Sequence, residues 1–254
     1  MLGKNGTGKT TTINILMGYL KPRSGECRIF GEDIQRMQPV TRERIALLIE
    51  NHVQYTFMNI EQIERFYSAF YPKWNKEAYY ELMRKLKVAR MSCGQRSQVA
   101  LGLILAQNAD LLVLDDFSIG LDPGYRRLFT EYLREYAKAE EKTIFLTSHI
   151  IQDMERLVDD CIIMDYGRIL IQKPVKELLD TFTRYTFKTS SPDKLPHAPS
   201  LYSTAAIRDS AETYSFENEE RIKQILQEQS IPYTDFKSEK MNLEDVFIGL
   251  TGKY

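Results

Sequence analysis

The chain lacks the features on which several classes of protein depend. Its longest apolar runs, such as residues 99–106, are far shorter than the roughly 20 apolar residues that cross a bilayer. Its formal net charge of -1 provides no basic field that would attract nucleic acid or an acidic membrane surface. We therefore expect no nucleic-acid partner, and any membrane role has to depend on another protein.

Cysteine is scarce and irregularly placed. The 3 cysteines, Cys27, Cys93 and Cys161, show no spacing typical of a metal or redox site. Their odd number, without a signal-peptide pattern, fits a reducing compartment. We expect ordinary core or surface thiols in a cytoplasmic protein.

The composition is that of a folded globule. Hydrophobic residues make up 43% and charged residues 27% of the 254 residues, which is enough apolar material for a substantial core. This length favours one large α/β domain with a small appendage.

Short apolar segments alternate with helical patterns through most of the chain, which is the rhythm of a parallel sheet flanked by helices. The apolar segments that predict strands lie at 45–49, 111–114, 143–146 and 162–164. One helix is predicted over 10–20, and a variant capping box that begins at Asn59 predicts another helix that ends near Phe70.

Two motifs in a fixed order predict a nucleotide-phosphate site. The sequence GKNGTGKT occupies residues 3–10, and the apolar run LLVL at 111–114 is followed by Asp115 and Asp116. In such a loop, backbone N–H groups surround phosphate oxygens, the lysine reaches the β- and γ-phosphates, and the threonine ligates Mg²⁺. The acidic strand end brings a carboxylate to the same metal. The predicted phosphate-binding residues are Gly3, Asn5, Gly6, Thr7, Gly8, Lys9, Thr10 and Thr11, and the predicted metal ligands from these motifs are Thr10 and Asp115.

Between these motifs lies MSCGQRSQ at residues 91–98, and here the chain resembles the ATP-binding subunits of ABC transporters. The family signature is Leu-Ser-Gly-Gly-Gln, which Ser92, Gly94 and Gln95 match, whereas Cys93 replaces a glycine. In the family's arrangement, the Ser92 hydroxyl and the Gly94 backbone N–H would donate to γ-phosphate oxygens, at the start of a helix near Gln95 whose positive end favours the anion.

Two downstream segments extend the resemblance over residues 1–180. The sequence GLDP at 120–123, which contains Asp122, resembles the family's D-loop. Thr-Ser-His, which ends at His149, resembles the segment with the switch histidine. The resemblance implies a head-to-tail dimer in which the P-loop of one subunit and the signature of the other enclose ATP. His149 would contact the γ-phosphate and orient the attacking water, and Asp122 would support the interface.

Two acidic residues depart from the family pattern. Asp116 stands where the family has a catalytic Glu, and a misplacement of about 1 Å can cost on the order of 100-fold in rate. We therefore expect slow ATP hydrolysis with Asp116 and His149 as the catalytic pair. Glu50 stands at the place of the Q-loop glutamine, where its carboxylate would bind Mg²⁺ and make turnover more dependent on the metal. Gln54 is an alternative to Glu50, and a solvated loop glutamate is another.

Only Met1 and Leu2 precede the loop, whereas the family has a full strand and an earlier adenine-stacking aromatic residue. A late translation start, a mis-assigned start and a fragment are the three explanations that the sequence leaves open.

The expected fold class is α/β, a P-loop NTPase with a mostly parallel sheet flanked by helices. Residues 1–180 would form the ATP-binding domain, with a helical subdomain at about 51–108 that carries the signature. Residues 181–254 would form a small C-terminal α+β region, with helices near 218–227 and 243–250. The closing LEDVF sequence resembles the end of export-type, ABC-2-like members.

The resemblance implies an ATP- and Mg²⁺-dependent subunit that powers a separately encoded membrane permease of a bacterial exporter. It would work as a homodimer or heterodimer on the cytoplasmic face of the cell membrane, held there by the permease. The alternatives are a non-transport ABC protein and a degenerate nucleotide-binding protein with a regulatory role or no activity.

Overall fold

The computed structural model describes residues 1–49, 58–85, 93–118, 121–152 and 154–252. The chain divides into two compact units, Met1–His149 and Ile150–Tyr254. In chain order, the first unit contains β1 (Leu2–Gly3), α1 (Lys9–Leu16), β2 (Arg28–Ile29), β3 (Glu32–Asp33), α2 (Pro39–Arg42), β4 (Ile45–Leu48), α3 (Ile60–Ser68), α4 (Lys76–Lys85), α5 (Cys93–Ala106), β5 (Leu111–Asp115), α6 (Pro123–Ala139) and β6 (Thr143–Thr147).

A parallel sheet organises the first unit. Strand β5 lies between β4 and β6 and is parallel to both, with Asp115 opposite Thr147. Leu2 forms a parallel bridge with Ser148, so β1 follows β6 in the order β4, β5, β6, β1. Because the strands are parallel, the segments that follow β1, β5 and β6 meet at one edge of the sheet.

The interior of this sheet is built from the predicted apolar runs. Leu112, Val113 and Leu114 of β5 are all buried, which is typical of a parallel strand covered on both faces. Ile13 of α1 and Met17, the C-cap residue of that helix, pack against Val113. This packing fixes the helix that follows the phosphate loop against the central strand.

Helix α1 is shorter than the predicted 10–20. It ends at Leu16 because Gly18 adopts a left-handed conformation, with φ +74°. The N–H of Tyr19 then donates to the carbonyl of Asn14 at 2.9 Å, which is the hydrogen bond that closes a Schellman-type helix end. A Cβ atom at Gly18 would lie 3.1 Å from the Ile34 carbonyl oxygen, so both conformation and space favour glycine.

Helices α3, α4 and α5 pack against one another. The predicted capping box is confirmed: the Asn59 side chain accepts from Gln62 N at 2.8 Å, and Asn59 N donates to the Gln62 side chain at 3.0 Å. Trp74 is half-buried, and its indole N–H donates to the buried carboxylate of Glu64 at 2.9 Å.

The second unit contains α7 (Met154–Leu157), β7 (Asp160–Asp165), β8 (Arg168–Pro174), α8 (Val175–Thr181), β9 (Thr183–Lys188), β10 (Leu201–Ile207), β11 (Ser210–Ser215), α9 (Glu219–Glu228), β12 (Thr234–Lys240) and α10 (Leu243–Thr251). Strands β7 and β8 form an antiparallel hairpin. Its two-residue turn, Tyr166-Gly167, has φ +42° and +73°, the values of a type I′ turn. The apolar pattern predicted β7 but not its hairpin partner.

The rest of the second unit is an antiparallel sheet in the order β10, β11, β9, β12, with helices α9 and α10 close to their predicted positions. Phe187, Ala211, Leu226 and Ile231 form a buried cluster. Cys161 on β7 is buried, and burial raises the pKa of its thiol to about 11, so it stays protonated at neutral pH. In the part of the chain that the structure describes, no helix is long and apolar enough to cross a membrane.

Candidate functional site

The glycine-rich loop between β1 and α1 has the backbone that a phosphate loop needs. Gly6 and Gly8 have φ of +80° and +102°, which side chains with a Cβ atom rarely adopt. Thr7 is buried, and its hydroxyl donates to the Lys4 carbonyl at 2.8 Å, which closes the loop on itself. Two glycines and the bonds that Thr7 donates to the Lys4 carbonyl therefore help to fix the loop conformation.

Lys9 lies inside this loop and is only 5% exposed. Its Nζ donates to the Gly3 carbonyl at 2.8 Å and to the Lys4 carbonyl at 3.2 Å. Carbonyl dipoles compensate a buried ammonium group less well than an anion does. The loop therefore holds a buried positive charge that suits a phosphate.

The N-terminus of α1 adds to this positive potential. Its first turn is Lys9-Thr10-Thr11-Thr12, and among the described residues no side chain caps the helix start at Gly8. Thr10 and Thr11 are exposed there. Uncapped N–H groups at the positive end of a helix dipole are a recurrent anion site.

One cleft of about 460 Å³ brings together residues from the ends of β1, β5 and β6. This volume is within the range of about 300–1,000 Å³ found for small-molecule sites. The residues that line it are Asn5, Gly6, Gly8, Lys9, Thr10, Thr11, Asp116 and His149. Each of them is a residue that the sequence predicted for phosphate binding or catalysis.

Asp116 and His149 are in direct contact in this cleft. Asp116 Oδ1 accepts from the His149 backbone N–H at 3.0 Å and lies 2.9 Å from His149 Nδ1. Asp116 is 6% exposed, whereas the His149 side chain is 37% exposed. A carboxylate can only accept, so Nδ1 carries the proton in this pair, and Nε2 has no hydrogen-bond partner among the described residues.

Asp115 is fully buried and lies beside Thr147. The Thr147 hydroxyl donates to Asp115 Oδ1 at 2.5 Å, whereas Oδ2 has no hydrogen-bond partner among the described residues. A buried carboxylate oxygen without a partner is costly, and a hard divalent cation or its water would satisfy it. The chemistry of Asp115 and of the Thr10 hydroxyl therefore fits Mg²⁺.

Nowhere in the described part of the chain do three or more His, Cys, Asp or Glu side chains form a group that could hold a metal. Among these residues, Asp115 and Thr10 are the two that would offer an oxygen to a cation at the cleft. Mg²⁺ characteristically binds in this way, through one or two protein oxygens, phosphates and water.

Three further predicted residues lie outside the described lining of this cleft. Gly94 and Gln95 are in the first turn of α5, and Asp122 is the exposed N-cap residue of α6. Among the described residues that line the cleft, none of these three occurs. Ser92 and Glu50 lie outside the described residues.

The sequence motifs give no role to Thr147, which lies next to both acidic residues in the structure. Its hydroxyl bonds Asp115, and its Oγ1 and carbonyl oxygen each lie 3.2 Å from Asp116 N, which donates to them. The available signal was a polar residue at the end of an apolar strand, in register with Asp115.

A strand, a glycine-rich loop with a buried lysine, a helix and a neighbouring acidic strand end together define a P-loop nucleotide-binding protein. Residues 1–118 match the family described as ABC transporter. The Nod factor export ATP-binding protein I of Cupriavidus metallidurans is 30% identical over 266 residues, which cover 100% of this chain and 88% of that protein. The chain belongs to the family of ABC transporter ATP-binding proteins, which confirms the resemblance seen in its signature motif.

Two further similarities agree with this assignment. The bacitracin transport ATP-binding protein of Bacillus licheniformis is 27% identical over 270 residues, with 99% of this chain and 87% of that protein covered. A solved structure of the ATP binding subunit of an ABC transporter has a TM-score of 0.61 and 27% sequence identity. The matched region covers 70% of this chain and 79% of the chain in that structure.

Proposed function

We propose that this protein is the ATP-hydrolysing subunit of a bacterial exporter and that it acts on a separately encoded membrane permease. The observation that carries the proposal is the single cleft in which Lys9, Asp116 and His149 meet. The name of one relative, a Nod factor export protein, supports the direction of transport, and that of another, a bacitracin transport protein, supports a role in transport. The substance transported by this system would contact the permease.

The roles within one subunit follow from the contacts in the cleft. Lys9 and the N–H groups of the loop bind the phosphates, and Thr10 with Asp115 would hold Mg²⁺. When bound, Mg²⁺ neutralises charge on the phosphate oxygens during transfer. Asp116 holds the His149 ring by its Nδ1 atom, so that Nε2 is free to contact the γ-phosphate or the attacking water. Asp116, with its shorter side chain, keeps hydrolysis slow.

A second subunit completes the site in this proposal. Ser92, Gly94 and Gln95 of one subunit bind the γ-phosphate on the other, and Asp122 supports the interface. Glu50 contributes to the metal environment. In this division, residues 1–180 form the ATP-binding domain and 181–254 form the C-terminal region. ATP closes the dimer, hydrolysis reopens it, and the permease converts this cycle into export from the cytoplasmic side.

Binding of Mg-ATP to the purified chain tests the first part of the proposal. Lys9→Ala removes the buried ammonium group, so the dissociation constant measured by calorimetry should rise by about 10- to 100-fold, the effect of losing a charged hydrogen bond. Lys21→Ala is the matched control, because Lys21 is exposed and is absent from the residues that line the described cleft. Equal affinity of the Lys9→Ala variant and the wild type would contradict the assignment of the loop.

Turnover tests the second part. Wild-type protein should release phosphate from Mg-ATP, and Asp116→Asn should abolish the release while the protein still binds nucleotide. Binding without turnover in the wild type would instead favour a regulatory nucleotide-binding protein. Recovery of a multi-spanning membrane protein with the wild-type chain after gentle solubilisation would support the transport role.

A further inference from the structure

One residue at the end of β6 bonds both acidic residues at the end of β5. Thr147 is fully buried, and its hydroxyl donates to Asp115 Oδ1 at 2.5 Å. The same hydroxyl oxygen accepts from Asp116 N at 3.2 Å, and so does the Thr147 carbonyl oxygen. Thr147 therefore touches both acidic residues, one at its side chain and the other at its backbone.

These bonds restrict how the two acidic residues can be arranged. A hydroxyl has one proton, and here that proton is committed to Asp115 Oδ1, which leaves Oδ2 as the oxygen without a described partner. Asp116 has φ +43°, a conformation that non-glycine residues adopt at a cost. The two bonds that its N–H donates to Thr147 help to hold this conformation.

We propose that Thr147 is a positioning residue for the metal and the catalytic carboxylate. It fixes one oxygen of Asp115 so that the other is available to Mg²⁺, and it holds the backbone of Asp116 beside His149. This inference rests on the proposed function, because it assigns Thr147 to the nucleotide site of that function. It goes further in making metal affinity depend on a residue that does not line the cleft.

The alternative is that Thr147 only satisfies a buried carboxylate and stabilises the fold. The two possibilities differ in what removal of the hydroxyl changes. A positioning role requires weaker metal binding in the presence of nucleotide, with metal-free nucleotide binding unchanged. A purely structural role weakens both together or neither.

Thr147→Val removes the hydroxyl at nearly constant shape, and Thr147→Ser keeps it. The test titrates Mn²⁺ into the full-length protein with a slowly hydrolysed ATP analogue and follows free Mn²⁺ by electron paramagnetic resonance. We expect Thr147→Val to raise the dissociation constant of Mn²⁺ by about 10- to 100-fold, as the loss of residues that orient metal ligands does. Thr147→Ser keeps the hydroxyl, so its dissociation constant for Mn²⁺ should lie within about threefold of the wild-type value. Thr143→Val is the matched control, because Thr143 is an exposed threonine at the other end of β6.

Binding of the analogue without metal is measured on the same variants. The inference is overturned if Thr147→Val binds Mn²⁺ like the wild type, if it loses metal-free nucleotide binding to the same degree, or if Thr147→Ser fails to restore affinity. Thr147→Ala replaces the valine variant under the same criteria if that variant does not fold. Failure of the proposed nucleotide site, on which the inference rests, is distinguishable, because the wild type itself would then not bind the analogue.

Discussion

Asp116 combines burial, a left-handed backbone and a double contact with His149. It is buried, its φ is +43°, and Oδ1 faces both the backbone N–H and the Nδ1 atom of His149. The short side chain allows this contact because it keeps the carboxylate close to the turn that follows β5. A longer acid at the same position would reach further toward the nucleotide.

Asp116→Glu should therefore raise the turnover number for Mg-ATP. The added methylene would move the carboxylate by about 1.5 Å, and placement on that scale changes rates by on the order of 100-fold. Phosphate release under saturating Mg-ATP measures the effect, with Asp116→Asn as the inactive control. A folded Asp116→Glu variant whose turnover equals or falls below that of the wild type would disprove this explanation of slow hydrolysis.

Individual residues differ in how visible they are in the sequence. Lys9 and Asp115 were predicted because their motifs specify both residue type and spacing. Thr147 was not, because its importance depends on the register of two strands that are separated by a long helix. Registers of this kind arise from packing, and a single sequence contains little information about them.

At the scale of elements, local signals predicted the starts of helices better than their ends. The capping box at Asn59 placed the start of α3 correctly, since it depends on side chains within one turn. The end of α1 was missed because Gly18 acts through its left-handed backbone and the close Ile34 carbonyl. The strand β8 was missed because most of its residues are exposed and show little apolar periodicity.

Loss of the cap on α3 should lower the stability of the first unit. Asn59→Ala removes the acceptor for Gln62 N, and such substitutions cost about 1 kcal/mol, with a range of roughly 0.5–2. Urea denaturation followed by circular dichroism measures the free energy of unfolding. Asn59→Asp keeps the acceptor and serves as the control, so equal destabilisation of both variants would show that the cap itself contributes nothing.

At the scale of the whole molecule, the first unit holds the entire described cleft, and Gly94 and Gln95 of the predicted signature are not among the described residues that line it. In the head-to-tail arrangement, this separation is required, because the signature of each subunit serves its neighbour. A single subunit would then bind nucleotide without being able to enclose it.

Nucleotide should consequently control the oligomeric state. The Asp116→Asn variant, which retains bound ATP, should be monomeric alone and dimeric with Mg-ATP in size-exclusion chromatography with light scattering. By linkage, nucleotide at 100 times its dissociation constant should also stabilise the fold by about 2.7 kcal/mol. Introducing Ser92→Glu into Asp116→Asn places a negative charge in the signature and should prevent the dimer. Dimers that form without nucleotide, or that survive this change, would contradict the arrangement.

The strand order β4, β5, β6, β1 has a geometric consequence for the size of the ligand. The phosphate loop follows β1, whereas the two acidic residues are the last residue of β5 and the one after it, so one whole strand, β6, separates them. Two interstrand spacings amount to about 10 Å. The intervening strand β6 therefore sets the distance between the phosphate loop, with its Lys9 ammonium group, and the two carboxylates. A terminal phosphate, with its metal and water, has to fit within that distance.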